Sequence, residues 1–244
     1  MRLTDIGGDL AAAFSLLTRL PLRASDAALS RGAMAAWAFP VTGMVIGALS
    51  AMFGSLTLAM GLPAPLAALT ALATAIITTG AMHEDGLADA ADGLWGGWTR
   101  ERRLEIMKDS HIGSYGVIAV VLSLAARWSA ITVLIISNPA ALIATATLSR
   151  AAMTGLMAAL PNARPNGLSR STGRPSPRSA TIGIALAFAV CLVTTNAPFT
   201  LLIIAALTTA GIAMIAKAKI GGQTGDILGA TQQVTEIALL ATLL

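Results

Sequence analysis

Apolar residues fill this chain in blocks of about 20, each long enough to cross a hydrocarbon core of roughly 30 Å as a helix, and polar positions fall in the short intervals between blocks. The blocks are continuous and rich in Ala, Leu and Ile rather than alternating, so helices, which satisfy their own backbone groups in lipid, are favoured over a barrel. The pattern predicts spans over 33–60, 66–82, 112–137, 140–160, 180–195 and 199–216, then a less oily helix over 226–244. It describes an all-α, polytopic membrane bundle of about seven transmembrane helices, one domain over 1–244. Residues 10–22 hold apolar positions at helical spacing beside Arg19, Arg23 and Arg31, which suits an interfacial helix within 1–31. Pro40 should bend the first span. GLPAP at 61–65, Asn138-Pro139 and Asn196-Ala197-Pro198 read as turns.

Composition sharpens this picture. The 244 residues are 55% hydrophobic and only 11% charged, with mean hydropathy +0.76, against roughly 25% charged residues in soluble domains. A soluble protein is excluded. The net charge of +4 comes from basic residues between apolar runs, so it argues for loop orientation rather than for a nucleic-acid partner. Basic segments at the N-terminus, 100–108, 164–178 and 217–219 alternate with uncharged ones at 61–65, 138–139 and 196–198. The positive-inside rule then places the N-terminus in the cytoplasm, the C-terminus outside, and every functional loop on the cytoplasmic face. Cys191 is the one cysteine, which excludes an intrachain disulfide and a thiolate metal cluster. The N-terminal stretch carries Asp5, Asp9 and Arg19 and lacks the cleavage pattern of a signal peptide.

One polar stretch stands out against this background. No charged residue occurs from 32 to 82, and then Glu84, Asp85, Asp89 and Asp92 arrive within nine residues. If the helix of the second span continues, Asp85, Asp89 and Asp92 fall at i, i+4 and i+7 and share a wedge of roughly 60°. Three like charges on one face are unfavourable as structure and become favourable around a divalent cation. Oxygen ligands select a hard ion such as Mg²⁺, which keeps waters and takes substrate phosphates as further ligands. The bland alternative is a solvated acidic helix end.

The segment 83–111 continues with Arg100, Arg102, Arg103 and Lys108, then Asp109, Ser110 and the glycines Gly113 and Gly116. Cations beside an acidic site, followed by small residues opening a helix with free backbone donors, suit a phosphate or diphosphate. Lys108 and Asp109 are read as site residues, and Arg100, Arg102 and Arg103 as anchors at lipid headgroups. Arg127 and Arg150 lie inside spans, where an arginine implies a polar cavity or a partner. On the last helix Asp226, Gln233 and Glu236 share a wedge of roughly 80° that can meet the first acidic face.

HEDGLADAADGLWGG from 83, RERRLEIMKDSHIGSYG from 100, ARPNGL from 163 and GGQTGDILGATQQVTE from 221, with FSLLTRLPL from 14, resemble the cobalamin synthase family, the adenosylcobinamide-GDP ribazoletransferases. The likeness runs in order from about residue 14 to the end. Glu84 departs from it, since the family usually has an apolar residue there, and so does His111, where an arginine is common. The resemblance implies Mg²⁺-dependent joining of adenosylcobinamide-GDP to α-ribazole or its 5′-phosphate with release of GMP, at the cytoplasmic face of a bacterial inner membrane. Metal would sit on Asp85, Asp89 and Asp92. Lys108, Asp109 and Glu236 would serve catalysis, and Ser110, Gly113, Arg150, Arg164, Asp226 and Gln233 substrate binding. The expected partners are these small molecules and membrane lipid, and a homo-oligomer is compatible with the sequence. Two alternatives stand beside it. A CDP-alcohol phosphotransferase also holds metal on helical aspartates, but Met82 and Asp89-Ala90 break its motif. A metal or metabolite transporter would use the intramembrane arginines.

Overall fold

Twelve α-helices and one 3-10 turn carry the described residues, which in this computed structural model are 3–22 and 24–244. In order they are α1 (Leu3–Leu17), α2 (Asp26–Leu29), the 3-10 turn Gly32–Ala38, α3 (Phe39–Ala59), α4 (Ala64–Thr79), α5 (Met82–Gly96), α6 (Arg100–Ile106), α7 (Ser114–Ser137), α8 (Ala141–Ala159), α9 (Leu168–Thr172), α10 (Pro177–Thr194), α11 (Pro198–Ile220) and α12 (Gly225–Thr242). The only β-pairing among these residues is an isolated bridge between Asn162 and Gln223. The protein is an all-α membrane bundle.

Five helices are long and apolar enough to span alone: Gly32–Ala59, Ser114–Ser137, Ala141–Ala159, Pro177–Thr194 and Pro198–Ile220. The pair α4 and α5 passes the same test only when taken together, and it is bent by 84° at its break, so that α5 turns off from the line of α4. The expected seventh, α12, carries Asp226, Gln232, Gln233 and Glu236 and lies largely buried among other helices, so it is polar rather than lipid-facing. The straight continuation expected from the second span into the aspartates does not occur. Gly80 takes a left-handed φ of 65° and Ala81 follows at 58°, which ends α4 and restarts the chain at a steep angle.

Two further expectations shift. Pro40 lies in the first turn of α3, where its missing N–H has no partner to lose, so it starts that helix instead of bending it. The N-terminal helix runs Leu3–Leu17 rather than 10–22, and Arg23 lies outside the described residues. Buried Asp9 fixes α1 to the 3-10 turn by accepting from Arg31 and, at 2.8 Å, from Trp37 Nε1.

Helix packing relies on small residues, as it must where lipid supplies no hydrophobic drive between helices. Gly43 and Gly47, one turn apart on α3, let its backbone touch α8. A Cβ at these positions would stand 2.2 Å from the Ala146 carbonyl oxygen and 2.5 Å from that of Leu142. Polar connections gather at one end of the bundle. There Arg19 N–H donates to Thr78 O at 2.7 Å, and the 161–163 segment exchanges backbone hydrogen bonds with Gln223. At the other end Asn138 Nδ2 donates to Thr194 O at 3.2 Å.

Candidate active site

At the polar end, the first turn of α12 meets α5. Gly86 makes the approach possible, since a Cβ there would lie 3.2 Å from both the Asp226 carbonyl oxygen and Gly229 Cα. The helices run antiparallel, with Gly86 beside Asp226 and Glu84 beside Gln233. Between them and the 162–170 segment opens a cleft of about 200 Å³, lined by Asp85, Asp226, Arg164, Asn166, Arg170 and Gln223 among others. Arg164 Nη2 lies 3.1 Å from Asp226 Oδ2 and also donates to Leu104 O at 3.3 Å. Thr224 caps α12, accepting from Ile227 N at 3.3 Å and donating to Asp226 at 3.1 Å.

Charge in this region is concentrated against its own repulsion. Partial burial, then Asp226 and Asp85, push the Asp89 carboxyl up to about 7, with Arg164 pulling the other way. Burial also raises Asp226, opposed by Arg164. Asp85 is exposed at the cleft. Asp85 and Asp226 line the cleft, and Asp89 lies within reach of both and of Asp92. Asp92 is turned away: its oxygens accept from Gly113 N at 2.7 Å and Gly116 N at 2.9 Å, capping the start of α7. The same bonds occupy the backbone donors that Gly113 and Gly116 were expected to offer a phosphate. Among the described residues no group of three or more His, Cys, Asp or Glu side chains is placed to hold a metal ion.

The other expected residues divide by location. Lys108 Nζ reaches Asn166 Oδ1 at 3.4 Å, on the cleft wall. Asp109 and Ser110 are exposed. Asp109 bonds the His111 ring at 2.8 Å, a contact that holds its carboxyl below the usual range and makes it a weak base. Arg150, Gln233 and Glu236 are not in the cleft. They line a cavity of about 20 Å³ inside the bundle, with His83, Glu84 and Arg127. There Arg127 Nη2 lies 2.7 Å from Glu84 Oε1, which also accepts from Gln233 Nε2 at 3.1 Å. His83 Nε2, Glu84 Oε2, Arg127 Nε and Arg150 Nε have no protein partner, and a space of this size holds about one water to serve them.

Two arginines of α6 expected at lipid headgroups instead tie backbone together. Arg100 donates to Ile220 O and Ala163 O, both at 2.9 Å, and Arg103 to Gly97 O at 2.9 Å and Lys219 O at 3.0 Å. They satisfy the open carbonyls at the end of α11 and hold α6 against the 163 segment. The cleft residues that spacing alone missed are Asn166 and Gln223, which stand in loops without periodicity, and Arg170 on the short α9. The signal for Asn166 and Gln223 was the ARPNGL and GGQTGD motifs; Arg170 lies in neither.

The class these features define is a membrane-embedded, all-α enzyme with an acidic and basic cleft at one end of its bundle. The chain belongs to the cobalamin-5-phosphate synthase family, whose model matches residues 9–244. Similar proteins named "Adenosylcobinamide-GDP ribazoletransferase" include that of Bradyrhizobium diazoefficiens, 46% identical over 97% of this chain and 93% of the relative. Those of Azorhizobium caulinodans (43%; 98% and 96%) and Mesorhizobium japonicum (41%; 95% and 91%) are further examples. No solved structure matches. Membership of this family sets aside the CDP-alcohol phosphotransferase and transporter alternatives.

Proposed function

We propose that the protein joins adenosylcobinamide-GDP to α-ribazole or α-ribazole 5′-phosphate, releasing GMP and completing the nucleotide loop of a cobamide. The observation that carries this reading is the cleft in which Asp85 of α5 faces Asp226 and Arg164. In the reaction a ribose hydroxyl oxygen attacks the phosphorus linked to the corrinoid. A new P–O bond forms, the P–O bond to GMP breaks, and the hydroxyl proton passes to a carboxylate of the cleft. GMP leaves with the bonding pair. Little covalent chemistry is asked of the protein, so positioning and charge neutralisation dominate.

Mg²⁺ fits the donor set. Asp85 and Asp89, with Asp226 opposite, offer hard carboxylate oxygens, of which one or two would hold the ion. Mg²⁺ is commonly held by one or two carboxylates plus substrate phosphates, so no closed protein cage is needed. When bound, the ion neutralises the diphosphate. Arg164, steadied by Asp226, and Lys108, beside Asn166, supply cationic donors to phosphate oxygens. Asp109 is exposed and bonded to the His111 ring, so it is the less favoured proton acceptor. Arg150 and Glu236 act from the interior, on helix placement. The basic segments and the cleft share one end, which the positive-inside rule assigns to the cytoplasmic face of the inner membrane.

The test is to incubate purified protein with adenosylcobinamide-GDP, α-ribazole and Mg²⁺ and follow GMP. Asp89→Asn should abolish release while the variant stays folded in detergent. Near-normal Mg²⁺-dependent GMP release by that variant would refute the site.

A further inference from the structure

The polar cleft does not end at Asp226. Met82, Leu168, Ser169 and Gly225 line both the cleft and a narrower space of about 50 Å³ behind it. That neck in turn shares Leu16, Phe39, Leu168 and Thr172 with a chamber of about 240 Å³ between α1, the 3-10 turn and α9. The three spaces adjoin in series, from acidic residues to an apolar end. Ala12, Ala13, Leu16, Leu29 and Phe39 form much of the chamber wall. Its two hydroxyls are already engaged: Ser171 Oγ donates to Leu168 O at 2.9 Å, and Thr172 Oγ1 to the same oxygen at 2.8 Å. At one side α9 abuts Gly32, whose Cβ would stand 2.4 Å from Thr172 O, while half-exposed Leu29 and Leu168 leave the chamber open to the surface.

We propose that this chamber is the acceptor-base subsite: it takes the aromatic ring of α-ribazole, a benzimidazole riboside, while the ribose passes the neck and brings its hydroxyl to the cleft. The assignment rests on the transferase reading above. Three features select this occupant. A flat bicyclic ring suits a small apolar chamber, and a corrin macrocycle does not enter a neck of about 50 Å³. Guanine carries amide and amino groups along its edge, and against a largely alkyl wall they lose water for few partners, which is costly. A benzimidazole edge is almost wholly apolar. Finally, the series joins an apolar site to a phosphate site, as a riboside with one oily and one polar end requires.

Leu16 lines both chamber and neck, so it provides paired tests. Leu16→Trp should raise KM for α-ribazole about tenfold or more, the scale on which apolar pockets discriminate, and leave KM for adenosylcobinamide-GDP within about twofold. Leu16→Ala should shift preference toward a riboside with a larger, naphthalene-fused base, which keeps the idea testable if the tryptophan variant misfolds. Unchanged ribazole kinetics in a folded Leu16→Trp, with no change of base preference in Leu16→Ala, would overturn the subsite. So would a KM effect confined to adenosylcobinamide-GDP, which would put guanine or the corrinoid tail there. Calorimetric binding of α-ribazole separates the two levels of inference. Binding that Leu16→Trp abolishes, in a protein releasing no GMP, keeps the chamber and removes the transferase reading. Normal GMP release with no effect of either variant does the reverse, and neither binding nor release removes both.

Discussion

At the scale of single residues, the aspartates of α5 look interchangeable in sequence and differ once folded. Asp89 is partly buried and faced by Asp226 and Asp85, and its carboxyl is pushed up to about 7. A raised acid is protonated below that value and must ionise to bind a cation. Mg²⁺ affinity, and GMP release at limiting Mg²⁺, should therefore rise as pH increases through about 7, and excess Mg²⁺ should move this limb to lower pH because the ion favours the ionised form. A pH profile at two Mg²⁺ concentrations checks it; identical limbs would oppose a metal role for Asp89. Asp92, by contrast, serves α7. Asp92→Asn should lower stability by about 1.5–3 kcal/mol, the range for hydrogen bonds to a charged group, and leave Mn²⁺ affinity measured by electron paramagnetic resonance within about twofold. Helical spacing put Asp85, Asp89 and Asp92 in one row along α5, but it could not say that the start of α7 would present two backbone donors to the third.

At the scale of helices, the informative contact is the one that joins α5, α7 and α12 at a single atom. Glu84 Oε1 accepts from Arg127 and from Gln233, while Gly86 and Gly229 meet nearby with no side chain to stop them sliding. Glycine gives proximity, and Glu84 gives register. Losing one member of a buried ion pair typically costs about 3–5 kcal/mol, whereas replacing both with apolar groups is often neutral. Glu84→Leu and Arg127→Leu should each lower the melting temperature in detergent, and the double variant should recover it. GMP release should nonetheless stay depressed in the double variant, since α5 loses its alignment on Asp226; full recovery of turnover would make the pair purely structural. The need of Arg127 for a polar partner was legible in sequence, from the cost of a cation in lipid. Its identity was not, because the partner sits 43 positions away on a helix whose direction depends on the break at Gly80 and Ala81.

At the scale of the molecule, hydrophobic blocks and basic intervals predicted the helical bundle and the grouping of its polar loops. Tag or reporter fusions at Leu62 and Asn196 should report the periplasm, and fusions at Glu101 and Asn166 the cytoplasm; the opposite pattern would invert the proposed orientation. What stayed hidden were departures from straight, independent spans: a proline that starts a helix, a last helix buried for its polar residues, and a corner where a straight rod was expected. That corner bears on substrate size. Because α5 leaves α4 at 84°, its two sides border different surroundings, ion-paired protein at Glu84 and open cleft at Asp85. Under the proposed function, a bulky corrinoid need neither pass between helices nor cross the bilayer. It can remain beside the protein and extend only its activated tail into the cleft, and the finished product can depart by the same open side.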